Sequence, residues 1–186
     1  SRRHVHAALS CGAGKSLSFL LPTVVGALAT SLCSRRSSCC LVVLPYKFLV
    51  THHTASATEM ILSSLGLWVT SLVGGDIGRF TLPDVFAMED LLPELVFVSL
   101  DAMGAILRFH FEHFQDLCHK GAISRIYVDE LHTILLEPFR SNYEHLRRLG
   151  SLGCAITTLS ATVPEVFLPH IFRYIGCNTK EFDVIK

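Results

Sequence analysis

An α/β domain with a mostly parallel sheet and helices on both faces is what this sequence predicts, and three observations predict it. Short apolar, β-branched runs alternate with longer helical patterns along the 186 residues. Most of those runs are continuous, not alternating, as suits strands covered on both faces. A glycine-rich turn, GAGKS at residues 12–16, follows the first run and opens a long apolar segment.

The elements follow in order. Strands are expected at residues 5–9, 40–44, 68–73, 95–99, 125–128 and 155–159. A long apolar run spans residues 17–32, and helices are expected at 58–65, 101–119 and 164–175, the last opened by Pro164, a favoured first helical residue. Gly74, Gly75, Asp76 and Gly78 mark a loop. Residues 183–185 read as the start of a further strand. Strand–helix alternation of this kind argues a doubly wound sheet. No repeat, low-complexity tract or linker divides the chain, so one domain is expected over residues 1–186. It opens in strand-like sequence without an initiator methionine, so a fragment truncated at both ends is expected.

Composition narrows the function classes. Half of the residues are apolar and 17% are charged, a core-rich balance unlike that of disordered chains. Lysine plus arginine and aspartate plus glutamate both number 16, so any nucleic-acid surface must be local. The seven cysteines are odd in number and form no C-x-x-C pair, which argues against a zinc ribbon or a disulfide framework and for reduced thiols. His52 and His53 are the densest of the ten histidines and are expected on the surface. Residues 16–34 carry no charge over a membrane-span length, but Pro22, Gly26 and several hydroxyl residues favour a buried helix.

A phosphate loop needs backbone N–H groups aimed into one concavity, with a helix N-terminus behind them. Gly12, Ala13 and Gly14 supply the room, and the helix is expected to open at Lys15. The Lys15 ammonium would reach the β- and γ-phosphates of ATP, and the Ser16 hydroxyl would ligate Mg²⁺. The usual pattern is G-x-x-x-x-G-K-S/T, yet Leu9 stands at its first glycine. A dinucleotide fingerprint would need glycine where Leu17 stands.

A phosphate loop alone hydrolyses nothing; it needs a carboxylate for Mg²⁺ and a group to activate water. RIYVDELHTIL, residues 125–135, carries both at the end of an apolar strand. Asp129 would hold Mg²⁺ through water, and Glu130 would orient or deprotonate the attacking water. His132 follows two residues on. The bland reading, two exposed acids ending a strand, is the weaker one in this context. In TTLSATVPE, residues 157–165, Ser160, Ala161 and Thr162 would hydrogen-bond to the Asp-Glu-Leu-His segment and sense phosphate; by itself the stretch reads as a cap ahead of Pro164.

GAGKS, DELH and SAT in that order resemble the first RecA-like domain of superfamily 2 helicases, and the RecQ-like DEAD/DEAH-type enzymes are the nearer match. The first motif of those enzymes often reads L-P-T-G-x-G-K-S; here it is LSCGAGKS, so the missing glycine is normal for the family. The resemblance implies a P-loop NTPase of RecA-like fold and an ATP-dependent helicase (an ATP hydrolase) acting on single-stranded nucleic acid, DNA before RNA, with ATP and Mg²⁺ as cofactors. Catalytic work is carried over to Glu130, Asp129 and His132, and coupling to Ser160, Ala161 and Thr162. Residues 41–50 are similar to motif Ia, a strand and loop touching the nucleic-acid backbone, with Pro45 and Lys47 as contacts. Residues 95–103 are similar to motif Ib, where Ser99 matches and Leu100 and Asp101 depart from the usual Pro-Glu. Leu131 replaces the usual Ala or Cys. The family's second RecA-like lobe carries an arginine finger, so this chain alone is expected to hydrolyse ATP slowly. Membership implies an intracellular, nuclear location and no membrane. The competing reading is a non-catalytic nucleotide-binding remnant of such a helicase; a kinase or transporter ATPase is disfavoured by SAT and its placement.

Overall fold

The computed structural model describes residues 3–10, 14–33, 38–59, 65–74, 84–87, 92–136, 143–161 and 163–185. Gly12, Ala13 and Thr162 of the expected site lie outside them. Seven strands form one sheet: β1 His4–Ala8, β2 Cys39–Leu44, β3 Val69–Leu72, β4 Leu95–Ser99, β5 Ile123–Asp129, β6 Ala155–Ser160 and β7 Phe182–Ile185. Their order is β3-β4-β2-β5-β6-β1-β7, and all six pairings are parallel. Every strand read from the sequence is present, within two residues at each end.

The apolar runs are continuous because both faces of the sheet are covered. Leu41, Val43, Val96, Val98, Ile126, Val128 and Ile156 join one core, and Cys40, Val42, Leu44, Leu95, Phe97 and Tyr127 join the other. Two helices supply buried side chains to the second core: α1 Leu17–Cys33 through Phe19 and Leu20, and α2 Lys47–Ala57 through Val50 and Ala57. The first core takes α3 Leu100–Phe109, α4 Phe111–His119, α6 Leu168–Tyr174 and the 3₁₀ segment Tyr143–Leu152. Between them, α5 Thr133–Leu136 is a single turn after β5.

Three helix expectations are corrected. The segment after β2 is already helical from Lys47, where a loop was expected; of the helix expected at 58–65, residues 60–64 lie outside the described residues. Threonine and histidine are weak helix formers there, but Val50 and Ala57, seven apart, bury against the sheet and override propensity. The stretch 101–119 breaks at His110 (φ −130°, ψ 26°), which lets two apolar faces of different phase meet one core. At the carboxyl end, residues 165–167 are 3₁₀ and α6 starts only at Leu168.

His53 is not a surface residue: its ring stacks on Phe97 at 5.9 Å and meets Phe19 edge-on, and burial lowers its pKa. Cys39, Cys40, Cys118, Cys154 and Cys177 are buried and outside any disulfide. Among the described residues no cluster of three or more metal-ligating side chains occurs, and no helix is long and apolar enough to cross a membrane.

Candidate active site

β1, β5 and β6 lie side by side, and their carboxyl ends coincide. Ala8 pairs in register with Ser160, and Asp129 with Leu159. The Leu9 N–H donates to the Ser160 carbonyl at 3.0 Å, which carries the alignment one residue past β1. Ligands of open parallel sheets bind at this edge.

The chain leaves β1 and turns into α1 through Gly14, Lys15 and Ser16. Gly14 has φ +80°, a left-handed conformation that favours glycine. Lys15 and Ser16 form a turn and α1 begins at Leu17, two residues later than expected. The Leu17 N–H donates to the Gly14 carbonyl at 2.9 Å, and the Ser18 N–H to Lys15 at 3.0 Å.

The Lys15 ammonium crosses to the end of β5. It pairs with Glu130 Oε1 and stands 3.9 Å from Asp129 Oδ1. All three side chains are largely withdrawn from water, so this pairing is screened far less than a surface ion pair. Burial pushes the Asp129 carboxyl above its ordinary value; the nearby Lys15 ammonium opposes that shift and the Glu130 charge adds to it. Asp129 Oδ1 also accepts from the Glu130 N–H at 2.9 Å.

Glu130 is the one described non-glycine residue with positive φ, at 49°. Such a conformation costs on the order of 1 kcal/mol and persists only where the surroundings impose it. Here the Lys15 pairing and the Asp129 hydrogen bond impose it. The turn then continues, with Thr133 N–H donating to Glu130 O and Leu135 N–H to His132 O, both at 3.0 Å.

His132 joins this turn to β6. Its Nδ1 lies 3.1 Å from Ser160 Oγ and 3.3 Å from Glu130 Oε2. One ring nitrogen cannot serve both groups well at once, so the imidazole couples Ser160 to Glu130. Ser160 is 1% exposed and reaches the Asp-Glu-Leu-His turn as the sequence led one to expect, while Ala161 follows at the strand end. Leu131 is buried in the first core, which accounts for a large apolar residue at that place.

The donor set suits a magnesium nucleotide. Glu130 Oε2 is buried and, beyond the His132 Nδ1 at 3.3 Å, which makes no well-formed hydrogen bond to it, accepts none among the described residues. An acceptor left in that state costs free energy until a donor or a cation reaches it. Two carboxylates share one ammonium, and the adjacent helix start favours anions. A bound Mg·ATP would supply the phosphoanhydride to be split, and its cation would offset the burial of the Asp129 carboxylate.

The expected nucleic-acid residues fare differently. Ser99 is fully buried, and its Oγ accepts from the Ala102 N–H at 3.2 Å and the Gly74 N–H at 3.1 Å. It caps α3 and is not placed to meet a strand. Pro45 is buried, and Lys47 is exposed on the first turn of α2, not in a loop. Sequence reading missed its neighbours: Tyr46 and Phe48 stack at 5.7 Å, and Phe48 is 68% exposed. Apolar-polar alternation around a lone lysine was the available signal.

The pattern of the DEAD/DEAH box helicase family matches residues 1–168, nine-tenths of the chain. The chain belongs to that family. Solved helicases share its fold. The DUF1998 helicase MrfA bound to DNA superposes with a TM-score of 0.65 at 16% identity, over 98% of this chain and 23% of that one. The DEAD-box helicase Mss116 bound to ssRNA and UDP-BeF gives 0.68 at 18%, over 100% and 37%. A hypothetical ATP-dependent RNA helicase from Sulfolobus tokodaii gives 0.58 at 18%, over 98% and 47%. This family member thus spans less than half the length of each neighbour, and its all-parallel sheet is that of their RecA-like domains. Use of ATP, typically with Mg²⁺, goes with the family.

Proposed function

We propose that this chain is the ATP-binding lobe of a RecQ-like, ATP-dependent helicase that couples ATP hydrolysis to unwinding of DNA. The observation that carries the reading is the Lys15 ammonium between Asp129 and Glu130 where β1 and β5 end. Gly12, Ala13, Gly14, Lys15 and Ser16 hold the phosphates, Ser16 and Asp129 hold Mg²⁺, and Glu130 holds the attacking water. His132 and Ser160, with Ala161 and Thr162, relay the state of that site to the strand side. DNA is preferred over RNA on the sequence resemblance alone. Both kinds of nucleic acid occur among the structural neighbours. The domain is a single lobe whose partners are a single strand and a second RecA-like lobe, and nuclear location accompanies the RecQ-like reading.

The test is titration of a fluorescent ATP analogue with Mg²⁺ against the parent and Lys15→Ala. The expected result is saturable binding by the parent and none by the variant at the same concentrations. Unchanged affinity would overturn the phosphate-loop assignment. Binding without any hydrolysis, even with single-stranded DNA present, would favour the nucleotide-binding remnant.

A further inference from the structure

On the face opposite α1 and α2, an open groove of about 600 Å³ lies between α5, the 3₁₀ segment and α6. Leu135, Phe167 and Tyr174 give it an apolar floor, and Arg147, His170 and Arg173 line its rim. Arg147 sits 5.8 Å from the Tyr174 ring centre, so the cation is held over the floor. Leu136 (69% exposed) and Val166 (71%), next in sequence to Leu135 and Phe167, add exposed apolar surface. No carboxylate of the described residues pairs with Arg147, His170 or Arg173, although two arginines stand around one apolar floor.

We propose that this groove docks an acidic segment of a partner protein, with apolar anchors in the floor and carboxylates against Arg147, His170 and Arg173. Charge complementarity selects the occupant. An apolar floor with a cationic rim fits side chains such as Leu or Phe flanked by Asp or Glu. A nucleic-acid strand fits less well: Leu136 and Val166 offer aliphatic surface that stacks no base. The groove also adjoins the hydrolysis site, since α5 continues the Asp-Glu-Leu-His turn through Leu135 N–H to His132 O. The docking itself does not depend on the helicase reading.

The experiment is selection of a random twelve-residue peptide library on the full chain, with selected peptides re-measured by fluorescence polarisation. The expected peptides carry Asp or Glu beside large apolar residues and slow amide exchange at 135–136 and 166–174. Reversal of two exposed rim charges, Arg147→Glu with Arg173→Glu, should weaken them about tenfold or more. Lysine-substituted versions of the same peptides should recover binding to that variant. Phe167→Ala should weaken both sets, and circular dichroism checks that each variant remains folded. Peptides without an acidic bias, no selected peptide at all, or protection elsewhere on the chain would overturn the proposal. So would an oligothymidylate that protects the same amides and is lost on the double reversal.

Discussion

Where β1, β5 and β6 end, charged side chains face one another across the sheet edge; where β2 and β4 end, the polar groups are turned inward. Lys15, Asp129, Glu130, His132 and Ser160 form one chain of contacts from three strands. At the other half, Ser99 spends its oxygen on two backbone N–H groups, and Pro45 is buried. Lys47 with its aromatic neighbours is what remains outside. The difference teaches that one half of the edge is built for a small, densely charged ligand. The other is held for its shape, with Ser99 capping α3 and Pro45 packed inside.

The comparison can be broken most sharply at Glu130. Glu130→Gln keeps the size and the Oε1 acceptor but removes the negative charge and the means of taking a proton. Hydrolysis should fall by about 10²- to 10⁴-fold, the usual worth of a positioned base, while affinity for the ATP analogue stays within a few-fold. Single-turnover hydrolysis of labelled ATP reads this even in a slow enzyme, and slow turnover is expected without an arginine finger, itself worth about 10³ to 10⁵. A variant as fast as the parent would show that Glu130 does not hold the water, while a brisk parent rate lost in the variant would point to an arginine supplied within the chain or by a dimer.

Ser99→Ala should do the reverse, lowering stability and leaving ATP binding alone. It strips the acceptor from the Ala102 and Gly74 N–H groups in a buried setting. A lost N-cap costs about 1 kcal/mol, and a second stranded donor adds to it, so a loss of about 2 kcal/mol is expected in urea unfolding. Unchanged stability with loss of strand binding would return Ser99 to the nucleic-acid surface.

How much of this was legible in the sequence follows the same divide. The strands were legible because a parallel sheet covered on both faces demands unbroken apolar runs, and 95–99 came out without error. Lys15, Asp129 and Glu130 were each legible from local motifs. The direct pairing of Lys15 with Glu130, across 115 residues and with β6 standing between β1 and β5, was not, because no local pattern encodes the register of β1 beside β6 and β6 beside β5. Ser99 misled because a serine ending a strand and starting a helix carries one local signal for two roles. Its burial is a tertiary fact. The groove around Arg147 and Arg173 was hidden for the same reason, since its walls come from three segments.

Asp129→Asn offers a smaller and subtler effect. Because burial raises the Asp129 carboxyl above its ordinary value, the stability held by its protonated form is fully present below the ordinary carboxylate pKa and lost as pH rises through the raised one. An uncharged asparagine escapes that loss and still accepts from the Glu130 N–H. The variant should therefore be more stable than the parent at neutral pH, by about 0.5 kcal/mol, with the gap closing toward acid. Guanidinium unfolding at neutral and acid pH measures it. A less stable variant at neutral pH would mean that the Lys15 attraction outweighs burial, and that the site is satisfied without a ligand.

The smallest effect is expected at Lys47 and Phe48. With zero net charge and the polar groups of β2 and β4 turned inward, binding of single strands should be weak, sequence-independent and lost with added salt. Each neutralised phosphate contributes about 0.7 to the slope of log affinity against log salt on single strands. One or two such contacts make a shallow slope, and Lys47→Ala should lower it by about 0.7 on every sequence alike. Phe48→Ala should leave the slope unchanged and reduce affinity only if bases stack on the exposed Phe48 ring beside Tyr46, a contact worth about 1–3 kcal/mol per base where it forms. Salt titrations of labelled DNA and RNA oligonucleotides against parent and both variants separate the two contributions. Tight binding at physiological salt, or a strong sequence preference, would place the strand elsewhere than the β2 and β4 ends. No binding even at low salt would leave this half of the edge without a ligand in the isolated chain and favour the nucleotide-binding remnant over a working helicase lobe.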